Sequence, residues 1–258
     1  MVRYWLLIGM FITLGFPWMV YGQSDPTAED IIDKMLAEGQ LGVQSGESRL
    51  RMVIRNKDGK VRERQILSKS DKKDGLRRNR IEFLEPADVK GSTLLLLEQR
   101  GERDLQYLYL PALKKTRRIT GNAKNGSFMG SDFTYADMEN RDAKVGTKVR
   151  KADETVSGQD CYRIETTGAD ADSEYSRVDL WIHRTLYLPI KIEFYDLKGG
   201  LVKVLATNKI ETKDNKKIIT EMTLKNVQTG SQTTLYVDSI QFGTTFPDSI
   251  FDKETLAR

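Results

Sequence analysis

From Gly46 onward, apolar and polar side chains alternate along most of the chain. Leu50, Met52 and Ile54 alternate with Arg49, Arg51 and Arg55, the period-two pattern of a strand with one buried face. Asn56-Lys57-Asp58-Gly59 then marks a tight turn, because Asp-Gly supplies the positive φ that a hairpin requires, and Val61 to Lys69 returns. Further runs span Arg77 to Leu84, Ser92 to Glu98, Leu105 to Leu110 and Lys115 to Thr120. A second series covers Lys148 to Val156, Cys161 to Thr167, Val178 to His183, Leu188 to Tyr195, Leu201 to Ile210, Lys217 to Asn226 and Thr233 to Phe242. Gly101, Ser157-Gly158-Gln159 and Lys198-Gly199-Gly200 punctuate them as turns. Such close spacing predicts an antiparallel all-β architecture of about twelve strands, and the Leu94-Leu95-Leu96-Leu97 run predicts burial on both faces of its strand.

Two stretches break the alternation. Thr27 to Gln40 has helical periodicity, with a capping-box-like start at Thr27 and Asp30, an apolar stripe of Ile31, Ile32, Met35 and Leu36, and Gly39 and Gly42 as the stop. Gly121 to Asn140 interrupts the sheet with a glycine-punctuated segment carrying Phe128, Met129, Phe133, Tyr135 and Met138, and Ser131 with Asp132 predicts a short helix there. A sheet of this size must curl, and its concave face is the natural place for both apolar elements.

The first residues add a destination. A positive start at Arg3, an apolar run from Tyr4 to Val20 and the small residue Gly22 predict a secretory signal peptide over residues 1–22, with an uncleaved anchor at the lower limit of spanning length as the alternative, and leave 23–258 as a single exported domain. The formal charge of +4 is too small a bias to argue for nucleic acid. Cys161 is the sole cysteine, so the fold must be held by its core, and one histidine with one cysteine excludes a metal cluster of usual composition.

Catalytic chemistry is sparse. His183 has Asp179 and Trp181 on its side of a strand, which admits a His-Asp contact, although a packed strand histidine is the plainer reading. Gly126 to Gly130 lacks the Lys-Ser or Lys-Thr of a phosphate loop. The basic clusters Arg77-Arg78-x-Arg80 and Lys114-Lys115-x-Arg117-Arg118 read as the wet face of strands or as contacts for anionic headgroups. The five apolar residues of the middle segment have two readings: they plug the hollow of the sheet, or they cover a cavity reversibly.

The runs FLEPADVKGSTLLL (Phe83 to Leu96), YLYLPALKKTRRI (Tyr107 to Ile119), SFMGSDFTYADM (Ser127 to Met138) and LYLPIKIEFYD (Leu186 to Asp196) resemble the outer-membrane lipoprotein-sorting protein family, relatives of the periplasmic Lol-type carriers. The resemblance implies an unclosed antiparallel β half-barrel whose concave apolar face is covered by helices. It also implies a role without catalysis or cofactor: shielding acyl chains of a lipoprotein or other lipid between inner and outer membrane. An efflux-type inner-membrane transporter and an outer-membrane acceptor are the partners it suggests, and a monomer is expected. The cavity would draw on Ile31, Ile32, Met35 and Leu36, on Phe128, Met129, Phe133, Tyr135 and Met138, and on Met52, Ile54, Tyr107 and Tyr109. Two alternatives stand beside the carrier: an envelope assembly or adaptor module without lipid cargo, and a hydrolase with an unrecognised carboxylate site.

Overall fold

The computed structural model describes residues 25–39, 41–100, 103–139, 145–168 and 172–257. The expected signal peptide, the Gly101 turn, and Gln40 and Asn140 at the expected ends of the two irregular stretches lie outside them. One α-helix, α1 (Ala28–Glu38), precedes β1 (Gly46–Arg55), β2 (Val61–Lys73), β3 (Leu76–Glu85), β4 (Thr93–Leu97), β5 (Leu105–Leu110) and β6 (Lys115–Ile119). After a long connection come β7 (Thr147–Arg150), β8 (Glu154–Val156), β9 (Gln159–Thr167), β10 (Tyr175–His183), β11 (Pro189–Asp196), β12 (Leu201–Lys213), β13 (Lys216–Asn226) and β14 (Gln232–Phe242).

All fourteen strands belong to one antiparallel sheet in the order β6-β5-β4-β3-β2-β1-β14-β13-β12-β11-β10-β9-β7, with β8 also beside β9. Two meanders are thus joined by the pairing of β1 with β14, and the sheet does not close, because β6 and β7 are its ends. The connection from β6 to β7 runs between those two free edges. Register shifts in β1/β14, β2/β3, β10/β11, β11/β12 and β12/β13 mark bulges, which increase local twist and curl the sheet.

Two details differ from the sequence reading. The expected strand from Lys148 to Val156 is split: Arg150 pairs with Ile164 and Glu154 with Cys161, so four steps on one strand oppose three on the other, a bulge that separates β7 from β8. The expected helix after Ser131 is absent; the middle segment has only the 3-10 turns Gly121–Asn125 and Asp137–Glu139. Its local polar groups turn elsewhere. Ser131 Oγ bonds back to the Phe128 carbonyl, and the Asp132 carboxylate accepts from Ser231 and Thr233 on the facing strand rather than from a helix N-terminus.

The core lies on the concave face as a belt running across the strands. Leu50 pairs with Ile66, Ile66 with Phe83, Met52 with Leu235, Leu235 with Met222, Leu224 with Leu205, and Leu205 with Ile192. A smaller cluster on the convex face buries Leu95 beneath Phe251 and Leu256 of the C-terminal segment. The four-leucine run is therefore covered on both sides, as its pattern required. Arg78 and Arg80 fasten this segment: Arg78 binds Asp248 and Asp71, and Arg80 donates to the carbonyls of Ile250 and Thr255. They are structural ties, whereas Lys114, Lys115, Arg117 and Arg118 stay exposed on the edge.

Candidate functional site

A cavity of about 150 Å³ lies at the middle of the concave face. Its floor is strand side chains, including Leu50, Met52, Ile66, Ile81, Leu205, Met222 and Leu235, and its cover is α1 through Met35 and Leu36 and the middle segment through Phe128, Phe133 and Met138. This space is lined almost wholly by apolar atoms, with Ser68, Arg77 and Asp137 as polar exceptions.

The two covers are held differently. Thr27 and Asp30 form a reciprocal capping box that starts α1, and the helix buries Ile31, Ile32 and Met35. Its polar ties to the sheet are few: Lys34 to the Tyr187 hydroxyl at 3.3 Å, and Arg150 to the Pro26 carbonyl at 3.0 Å. The middle segment is strapped at both ends. Lys124 donates to Glu139 with both side chains only 3% exposed, Gln106 donates to the Tyr135 carbonyl at 2.8 Å, and Arg62 reaches the Gly130 carbonyl at 3.2 Å. At the far side Thr233 donates to Asp132 at 2.7 Å, and Asp137 receives Lys203 at 3.4 Å and the Tyr175 hydroxyl at 3.3 Å. Burial pushes the Glu139 carboxyl above the ordinary glutamate range, while Lys124 opposes the shift. Within the strap Phe128 meets Phe83 at 5.5 Å and Tyr135 edge-on at 5.7 Å, closing that end of the cavity.

Of the residues expected to line a cavity, Met35, Leu36, Met52, Phe128, Phe133 and Met138 do so. Ile31, Ile32, Ile54, Met129 and Tyr135 join the same concave core behind that wall. Tyr107 and Tyr109 do not. They belong to the convex cluster under the C-terminal segment, because Gln106 and Leu108 are the residues of β5 that face inward. Leu50, Ile66, Met222, Leu235 and Arg77 were missed.

The catalytic candidates are occupied by structure. His183 Nδ1 accepts the backbone N–H groups of Thr185 and Leu186, and its Nε2 lies 3.0 Å from Gln159 Oε1. Burial lowers its pKa, which favours the neutral ring. Asp179 is bound instead by Arg163 and Arg177, so no His-Asp contact forms. Cys161 is buried against Trp181 and Ile190, and burial pushes its thiol up to about 11, which keeps it protonated and inert. No cluster of histidine, cysteine and carboxylates suited to a metal occurs among the described residues, and no helix among them is long and apolar enough to cross a membrane.

A family model described as "Uncharacterized protein" matches residues 75–258. No curated protein matches the chain. Among solved structures, an outer membrane lipoprotein-sorting protein domain from Vibrio parahaemolyticus is 31% identical with a TM-score of 0.81, over 90% of this chain and 98% of its own. A DUF1329 family protein from Desulfovibrio piger is also 31% identical, with a TM-score of 0.80 over 90% of this chain and all of its own, 100%. A LolA superfamily protein from Nitrosomonas europaea shares the fold at 19% identity, with a TM-score of 0.68 over 89% of this chain and 99% of its own. By sequence identity, coverage and fold together, the chain belongs to the outer-membrane lipoprotein-sorting protein family that includes the DUF1329 proteins.

Proposed function

We propose that the protein is a periplasmic carrier, exported by a signal peptide over residues 1–22, that holds acyl chains of lipoproteins or other lipids and moves them between the inner and outer membranes. The observation that carries this reading is the apolar cavity between the sheet and its two covers. Its volume of about 150 Å³ suits a benzene-sized guest and falls below the ~300–1,000 Å³ of ligand pockets, so the cavity must widen to take an acyl chain.

The energetics favour α1 as the part that yields. Ile31, Ile32 and Met35 contribute ~1.5–3 kcal/mol each by burial, and an entering chain returns ~0.8 kcal/mol per methylene on the same surface, so about ten methylenes offset the helix's release. No lipid can replace the ion pairs and hydrogen bonds of the strap in this way. Uptake of a fluorescent fatty acid tests the reading: saturable binding by the mature protein, abolished by Phe133→Asp in a folded variant, is expected. Unchanged uptake by that variant would exclude this cavity.

A second reading, an adaptor module without cargo, draws on the same strap, since Phe128, Phe133 and Tyr135 already fill much of the hollow. It expects no lipid uptake. Under the carrier reading, an efflux-type transporter and an outer-membrane acceptor are the partners for loading and release.

A further inference from the structure

The apolar cavity is not sealed at both ends. Phe128, Phe83 and Phe133 close one end, whereas the other continues into a polar chamber of about 90 Å³, and the two share Leu41, Leu50, Ser68, Arg77 and Met138. Arg77 stands at this junction. It is the inward residue of β3 two positions before Asn79, which accepts from Ser68 at 3.0 Å, and its backbone N–H donates to Glu98 at 2.9 Å.

The guanidinium itself makes no hydrogen bond or ion pair among the described residues. The neighbouring cations are committed: Arg78 to Asp71 and Asp248 on the convex side, and Lys124 to Glu139. A half-buried guanidinium whose five donors lack protein acceptors stands open to a ligand that can accept from them. Burial pulls the Arg77 pKa down and Glu98 and Asp104 pull it back up, so the group stays a cation. The same two carboxylates repel a doubly charged ligand. The other charges lining the chamber are paired, Asp71 with Arg78 and Glu139 with Lys124, and Gln44, Ser48 and Ser70 add neutral polar groups.

We infer that Arg77 binds the head of the cargo, and that this head carries a single oxyanion, a carboxylate or a phosphodiester, with the acyl tail directed toward Phe128 and Phe133. The inference rests on the carrier reading and adds an orientation and a ligand class to it. A planar fork of donors matches either oxyanion in a bidentate fashion, which lysine cannot reproduce.

Calorimetric titration separates the possibilities, with four ligands of equal chain length used below their micellar concentrations. Laurate and dodecanol differ by a carboxylate; lauroyl lysophosphatidylglycerol and monolaurin differ by a phosphodiester. Wild-type protein is expected to bind at least one anion on the order of ten- to a hundredfold more tightly than its neutral partner, and the preferred anion identifies the source of the head. Arg77→Gln is expected to bind the neutral ligands as wild type does and to lose the preference, while Arg77→Lys keeps part of it. Equal affinities within both pairs, or a preference that survives Arg77→Gln, would overturn the head-group assignment and leave the carrier reading standing. Failure of wild type to bind any of the four would overturn the carrier reading and this site with it.

Discussion

α1 and the strap from Gly121 to Glu139 cover the same cavity, yet they are fastened by opposite kinds of force. α1 rests on Ile31, Ile32 and Met35 with a few exposed polar ties, while the strap is bolted by Lys124–Glu139, Gln106, Asp132 and Asp137 in buried or half-buried positions. Apolar contacts are interchangeable with those of a lipid; geometry-specific polar ties are not. The difference teaches which cover is the door and which is the wall. Connectivity is consistent with the same division, since the strap lies in the connection between β6 and β7, the two ends of the sheet.

The largest effect should come from breaking the wall. Lys124→Ala leaves Glu139 buried without its cation and is expected to cost ~3–5 kcal/mol, read as a lowered urea midpoint. An unchanged midpoint would mean that this ion pair does not hold the strap. Weakening the door should cost less globally and act locally. Ile32→Ala is expected to destabilise by ~2–4 kcal/mol and to speed amide exchange in α1 while exchange in the strap stays near wild type. Equal acceleration in both covers would erase the distinction between them.

Protonation sharpens the comparison further. Because the Glu139 pKa is raised in the fold, the folded state holds the proton more tightly than the unfolded chain. Its contribution is full below the ordinary glutamate value of about 4.3 and is lost as the pH rises through the raised value. Glu139→Gln should therefore gain in urea midpoint relative to wild type as the pH climbs through that window. A gap independent of pH would show that the residue does not titrate there.

The smallest effect is expected far from both covers. Asp248 is held below the ordinary aspartate range by Lys73 and Arg78, so its contribution is present above that range and fades as the pH falls through its lowered value. Asp248→Asn should trail wild type slightly in thermal midpoint at neutral pH, with the gap closing in acid.

Much of this was legible in the sequence because local turns carry register. The Asp58-Gly59 hairpin alone places Leu50 opposite Ile66, so Ile66 follows once Met52 and Ile54 are placed inward. Helix α1 was readable from its capping box and stripe. What lacked a local signal was the junction of β1 with β14, a pairing of residues nearly two hundred positions apart, which brings Met222 and Leu235 beside Met52. The face of β5 was misread for a different reason. Leu94 to Leu97 is buried on both sides, which gives no parity, and the inward Gln106 is a polar residue buried for its bond to the strap. The strap itself looked helical because Ser131 and Asp132 resemble a cap, and only the tertiary partners Ser231 and Thr233 redirect them. Arg77 was seen as one of a basic cluster, but alternation on β3 sends it inward while Arg78 and Arg80 go out.

The central claim is that this cavity carries lipid, and native mass spectrometry of the mature protein, purified from a bacterial periplasm without detergent, tests it most directly. Bound lipid at close to one per protein, lost in a folded Phe133→Asp variant, is the expected result. Bare protein that also takes up no fluorescent fatty acid would contradict the claim.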